Sequence, residues 1–172
     1  MKIKIRQEIE MDKSVVYEVV KTAFDTAEFS DHDEQNLVNR LRNSTAFVEQ
    51  LSLVAEIENR VVGYILFTEI EIGNSILLAL APVAVLPDMQ GKGIGEKLIC
   101  EGHKIAANMG YKGCVVMGHD KYYPRFGYEK ASRYNIVAPF EVPDECFMVI
   151  EFEKDGLKGV SGVVKYAKEF FE

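Results

Sequence analysis

Six consecutive residues, Gln90-Gly91-Lys92-Gly93-Ile94-Gly95, carry the clearest chemical signal in this sequence. Alternating glycines let backbone N–H groups converge on one point, and let a ligand approach with no Cβ in the way. The stretch follows an apolar run and opens an amphipathic one, so the unpaired N–H donors of a helix start, and the positive end of its dipole, add to the loop's own amides. Such a place binds phosphate or pyrophosphate. Two familiar phosphate loops do not fit. A dinucleotide pattern counted from Gly91 needs glycine where Glu96 stands, and a Walker loop needs Ser or Thr after Gly-Lys, where this chain has Gly93. What does fit is Gln-x-x-Gly-x-Gly, filled by Gln90, Gly93 and Gly95.

The second cluster is Tyr122-Tyr123-Pro124-Arg125-Phe126-Gly127-Tyr128, preceded by His119 and Asp120. His119 and Asp120 are candidates for a direct chemical role. Glu69 and Glu71 alternate along a strand, where glutamates usually form a solvated face. No carboxylate lies between Ile76 and Val85, so a general base is not legible, and water can take that part. His32, His103 and His119 have no metal-ligand spacing with one another or with cysteine, so no metal is expected. His103 is expected on a helix surface, and Cys114 reads as packing in a buried strand.

The elements that must position these residues can be read from periodicity. Ile3 and Ile5 alternate with charged residues in a first strand. Asp12 is placed to cap a helix with Val15, Val16, Val19, Val20, Ala23 and Phe24 on its apolar positions, and Ser30 and Asp33 precede a second helix carrying Leu37, Val38 and Leu41. Strands are expected around residues 51–57 and 61–72, with turns at Asn59-Arg60 and Gly73-Asn74. Ile76 to Val85 is apolar almost throughout, as befits a central strand covered on both faces. Pro82 inside it cannot donate to a ladder, so the ladder must be interrupted there. A helix with Ile94, Leu98, Ile99, Ile105, Ala106 and Met109 on one face ends at Gly110. Strands follow at 113–117 and 146–152. The tail from Val160 to Phe171 reads equally as an edge strand or a short helix.

The strand–helix–strand unit from Ile76 to Met117 implies a parallel pair with a right-handed crossover, and the tight turns imply antiparallel neighbours. The expected fold class is therefore α/β (mixed α+β), one mixed sheet with helices on both faces. Residues 1–172 read as a single domain, with no linker or repeat. Of the 172 residues 48% are apolar, and the net charge of −7 leaves no basic footprint for nucleic acid or an anionic membrane. No apolar run reaches the roughly 18–20 residues of a membrane span. Three widely spaced cysteines, odd in number, form no disulfide framework, which suits a reducing cytoplasm.

The stretch from Leu80 to Leu98, with Gln90, Gly93 and Gly95, resembles the GNAT superfamily of N-acetyltransferases. Tyr123, four residues before Gly127-Tyr128, adds to that resemblance. It is closest to a bacterial branch with a tyrosine pair before Arg-Phe-Gly-aromatic. The resemblance implies the GNAT fold, with a mostly antiparallel sheet and a splayed parallel strand pair, and acetyl-CoA as co-substrate. It implies that the amides of Gln90, Gly91, Lys92, Gly93, Ile94, Gly95 and Glu96 hold the pyrophosphate. Backbone of Val83, Ala84 and Val85 would pair with the pantetheine arm, and Tyr123 would protonate the departing thiolate. A phenol with an ordinary pKa near 10 is close in acidity to that thiol. The partner implied is a small-molecule or peptide amine, with a homodimer a habit of the family. A non-catalytic acyl-CoA sensor is the alternative. The asparagine and longer helix that many members carry before the tyrosine are absent, replaced by Gly118-His119-Asp120-Lys121.

Overall fold

A computed structural model describes residues 1–172. The first strand, β1 (Lys4–Gln7), leads through a single turn to α1 (Lys13–Phe24) and α2 (Glu34–Arg42). Three long strands follow, β2 (Phe47–Ile57), β3 (Arg60–Ile72) and β4 (Ser75–Val85), then α3 (Ile94–Asn108) and β5 (Gly113–Met117). The last third is made of short pieces: β6 (Glu129–Lys130), β7 (Ile136–Val137), β8 (Phe147–Glu151) and β9 (Gly162–Lys165). Strand order is β1-β2-β3-β4-β5-β8-β6, antiparallel except for the β4–β5 pair, with β9 antiparallel to the end of β3 and parallel to β7. This is the mixed sheet expected from the sequence.

Alternation along β3 explains why helices cover both faces. Ile65 and Phe67 point into a core with Leu98 and Ile99 of α3, while Tyr64 and Leu66 point the other way, onto Val16, Val20 and Leu41 of α1 and α2. With both faces covered, β3 and β4 are apolar nearly without interruption, and the hydrophobic gain of burial is taken twice per strand.

The helix starts differ from their expected chemistry. Asp12 precedes α1 but makes no side-chain cap. Its carboxylate instead accepts from the Arg6 guanidinium at 2.7 and 3.0 Å and from the Ile9 N–H at 2.8 Å. Arg6 thereby ties β1 to the turn before the helix and holds Asp12 below the usual carboxylate range. The tail resolves into both alternatives: β9 pairs with Glu71 and Ile72 at the end of β3, and a single 3-10 turn, Lys168–Phe171, follows.

The β3–β4 ladder is interrupted where Pro82 falls. Leu80 pairs with Phe67 and Val83 with Ile65, so Ala81 and Pro82 together face Leu66 alone, a β-bulge. On its other edge β4 pairs with β5 only at Leu78–Cys114 and Ala79–Val115. Beyond Ala79 the two parallel strands part, and the β5-side edge of residues 80–85 is free.

Candidate active site

The loop from Gln90 to the start of α3 keeps its amides free. Gly91 and Gly93 adopt left-handed backbone, φ +76° and +80°, and a Cβ on either would meet no heavy atom within 4 Å. Only glycine takes that conformation without strain. None of the N–H groups of residues 91–96 donates to a backbone carbonyl; the first to do so is Lys97, to Gly93 at 3.1 Å. Six donors therefore gather at the positive end of a 15-residue helix. The loop is fastened to β4 by Gln90, whose side-chain amide donates to the Val85 carbonyl at 3.2 Å.

A cavity of about 380 Å³ opens over this loop, at the small end of the ordinary range for ligand sites. Val83, Val85, Gln90, Gly91, Gly93, Ile94, Gly95 and Glu96 line it, eight of the ten residues read as cofactor-binding. Lys92 stays outside with an exposed side chain, and Ala84 turns the other way into the core under α1. Ala84 can act there only through its backbone.

Met89, Tyr122 and Arg125 also line the cavity. The Arg125 guanidinium lies 4.5 Å from the Tyr122 ring centroid and 5.4 Å from that of Phe126, a cation held over aromatic faces beside the amides. The motif contained both residues. What it lacked was the direction of the turn, a 3-10 segment over Tyr123–Phe126 that sends Tyr122 and Arg125 toward the loop.

Tyr123 points elsewhere. It is buried, and its ring packs so closely on Gly118, just past the end of β5, that a Cβ there would lie 2.4 Å from Cε2. Tyr122 and Tyr128 meet it edge to face, with centroids 5.1 and 5.7 Å away. Burial holds its phenol well above the ordinary range, with the neighbouring Tyr122 and Cys114 adding to the effect. It thus packs against the end of β5 and is absent from the walls of the loop cavity, while Tyr122 lines that cavity beside the start of α3.

His119 and Asp120 are exposed, 3.7 Å apart, and do not line this cavity; Asp120 borders a separate surface hollow with Tyr128 and Arg133. Glu69 is engaged by the Tyr111 hydroxyl, which donates to it at 2.5 Å. His103 departs from its expected helix-surface position. It is largely buried among Phe67, Tyr128 and Phe152, shares a 2.8 Å hydrogen bond with the Tyr128 hydroxyl, and is pushed down to a pKa of about 4 by burial. No three His, Cys, Asp or Glu side chains are grouped to hold a metal ion, and no helix is long and apolar enough to cross a membrane. A larger cavity of about 480 Å³ lies remote from the loop, between the end of α2 and the β9 segment.

Known proteins resemble this chain in sequence and in fold. The family model described as Acetyltransferase (GNAT) domain matches residues 49–130. The uncharacterized N-acetyltransferase YjhQ of Escherichia coli is 37% identical over 133 residues, covering 73% of this chain and 74% of that one. YhbS of the same organism, also an uncharacterized N-acetyltransferase, is 30% identical over 169 residues, covering 96% and 97%. The crystal structure of Escherichia coli YhbS in complex with CoA superposes with a TM-score of 0.90 at 28% identity, over 100% of this chain and 93% of that one. A GNAT family acetyltransferase from Brucella melitensis in complex with acetyl-CoA gives 0.82 at 34% identity, over 98% of each.

Proposed function

The chain belongs to the GNAT family of N-acetyltransferases, and from that premise we propose that it moves an acetyl group from acetyl-CoA to a primary amine by direct attack in a ternary complex. One observation carries the cofactor half of the proposal: six unpaired backbone N–H groups at the start of α3, opening on a cavity that no Cβ obstructs. They would hold the diphosphate, with Arg125 on its Tyr122 platform as the nearby cation. The free edge of β4 at Val83, Ala84 and Val85 would take the pantetheine amides as an added strand. Bound there, acetyl-CoA supplies the thioester.

The amine nitrogen forms its bond to the acetyl carbon as the carbon–sulfur bond breaks. Tyr123 gives its hydroxyl proton to the leaving sulfur and regains one from solvent, while the nitrogen sheds its proton to water. No side-chain base is assigned. β4 offers no carboxylate, and Glu69 is engaged by Tyr111. Holding two reactants at the parting of β4 and β5 would supply much of the roughly 7–11 kcal/mol available from proximity.

The rival reading is an acyl-CoA sensor without turnover, favoured by the burial that weakens Tyr123 as an acid. Thiol release from acetyl-CoA with a panel of amines separates the two. Calorimetry with CoA, ATP and NAD tests the site itself: CoA should bind, and Gly93→Glu should abolish that binding by straining the loop and filling the cradle. Equal affinity for NAD, or an unaffected variant, overturns the assignment.

A further inference from the structure

A second cavity, of about 360 Å³, lies on the other side of the β4 bulge. Leu80, Ala81 and Pro82 border it, and the next residue, Val83, borders the anion cavity, so β4 supplies a wall to both hollows at the place where its pairing with β5 has ended. Met117, the last residue of β5, closes the same opening. Nine of the twelve lining residues are apolar.

The aromatic wall comes from distant parts of the chain. Tyr166 stands 5.8 Å from Phe140, 5.1 Å from Phe170 and 6.3 Å from Phe171, between ring centroids. From the α1–α2 connection comes Phe29, 98% exposed over the mouth. An apolar side chain left in water at such a place costs free energy that an apolar ligand would recover.

Asp31 and Glu34 are the only charged residues on these walls, and neither is paired with a cation. Asp31 accepts the Asp33 N–H at 3.0 Å, and Glu34 accepts the Ser30 hydroxyl at 2.6 and 2.7 Å, which fixes both carboxylates without neutralising them. One region of negative charge beside an aromatic hollow selects a ligand with one cationic end and an apolar body. A polyamine or aminoglycoside would bring further charges onto walls that offer them no partner.

We infer that the acceptor is a small primary amine of the arylalkylamine class, its aromatic body among Phe140, Tyr166, Phe170 and Phe171 and its nitrogen directed to the β4–β5 opening. The inference rests on the acetyltransferase reading above. At the walls of the hollow, the carboxylates of Asp31 and Glu34 draw in the ammonium form. At the opening the nitrogen loses that proton to water before it attacks.

The test compares 2-phenylethylamine, spermidine and a short peptide bearing a free N-terminus and a lysine, each with acetyl-CoA. The expected kcat/KM for 2-phenylethylamine exceeds the other two at least about tenfold, a difference of roughly 1.4 kcal/mol. The Asp31→Asn, Glu34→Gln double variant should raise its KM about three- to tenfold with kcat little changed. Preference for spermidine or the peptide, or an unchanged KM in the double variant, overturns the acceptor class. Failure to acetylate 2-phenylethylamine overturns it as well. Thiol release from acetyl-CoA with the wider amine panel on the same samples tells that failure from failure of the transferase reading, since release with any other amine leaves the transferase standing and release with none removes both.

Discussion

A Cβ built on Gly95 would lie 3.0 Å from the hydroxyl of Tyr122. The contact joins the first turn of α3 to the 3-10 turn that carries Arg125, and it sets how closely the two approach across the cavity. Gly95→Ala separates two effects of opposite sign. Alanine in a helix gains up to about 1 kcal/mol over glycine, and the tip of a tyrosine can yield by a few tenths of an ångström, so Tm should hold or rise. Displacing Tyr122 also moves Arg125, so Kd for CoA should rise about tenfold. Calorimetry beside a thermal melt checks both; unchanged affinity would detach Tyr122 and Arg125 from the site.

Tyr123→Phe removes only the hydroxyl of a ring that is otherwise packing. Turnover should fall about a hundredfold, at the low end of general acid catalysis, with Kd for CoA little changed. The pH behaviour has a defined sign. Burial raises the phenol pKa, so the proton stays on through the usual assay range and no loss of rate below about pH 10 should come from Tyr123 itself. The same burial makes the fold weaker above pH 10, where unfolded tyrosine ionises and the folded one does not. Wild-type turnover in the phenylalanine variant would end the acid assignment.

Features set by neighbours in the chain were legible; those set by distant partners were not. Pro82 within an apolar run implies an interrupted ladder, and Ala81 and Pro82 indeed stand opposite Leu66 alone. Alternating glycines imply backbone that a ligand can approach, and Gly91 and Gly93 stand in left-handed backbone with nothing within 4 Å of where a Cβ would be. The Arg42 and Glu8 side chains are only 7% and 4% exposed, paired at 2.5 Å. Glu8 also accepts the Ser52 hydroxyl, which shares a hydrogen bond with the buried Tyr64. Nothing in the spacing of residues 8, 42, 52 and 64 announces that β1, α2, β2 and β3 converge. The aromatic hollow was hidden for the same reason, since Phe29, Phe140 and Phe171 meet only after the whole chain has folded.

Gly102 occupies the apolar face of α3, four residues after Leu98. By helix propensity alone, Gly102→Ala should stabilise by up to about 1 kcal/mol. The sheet reverses that sign. A Cβ at Gly102 would lie 2.2 Å from Cε1 of Phe67, a ring buried at the centre of the core with no free space to retreat into. Overpacking of this kind costs about 1–3 kcal/mol, so the alanine variant should lose stability, read as a fall in Tm. A rise in Tm would mean that α3 can lift from the sheet without cost, and the close approach would lose its structural meaning.

His103 gives the fold a sensitivity to acid in a defined window. Three rings surround it, no carboxylate is paired with it, and burial drives its pKa down to about 4 from an unfolded value near 6.5. A depressed folded pKa means that the unfolded chain takes up the proton first. The stability contributed by the neutral ring is therefore complete above pH 6.5, declines as pH falls, and is gone below about 4, a loss on the order of 3 kcal/mol. Protonation would also oblige Nε2 to donate to the Tyr128 hydroxyl and bring a charge beside Phe67. His103→Gln keeps a polar group within reach of Tyr128 without a titrating proton. Denaturant unfolding between pH 8 and 4 should show wild type losing stability across 6.5 to 4 while the variant stays nearly flat until the carboxylates titrate, Asp12 among them at still lower pH. Parallel curves for the two proteins would remove His103 as the source.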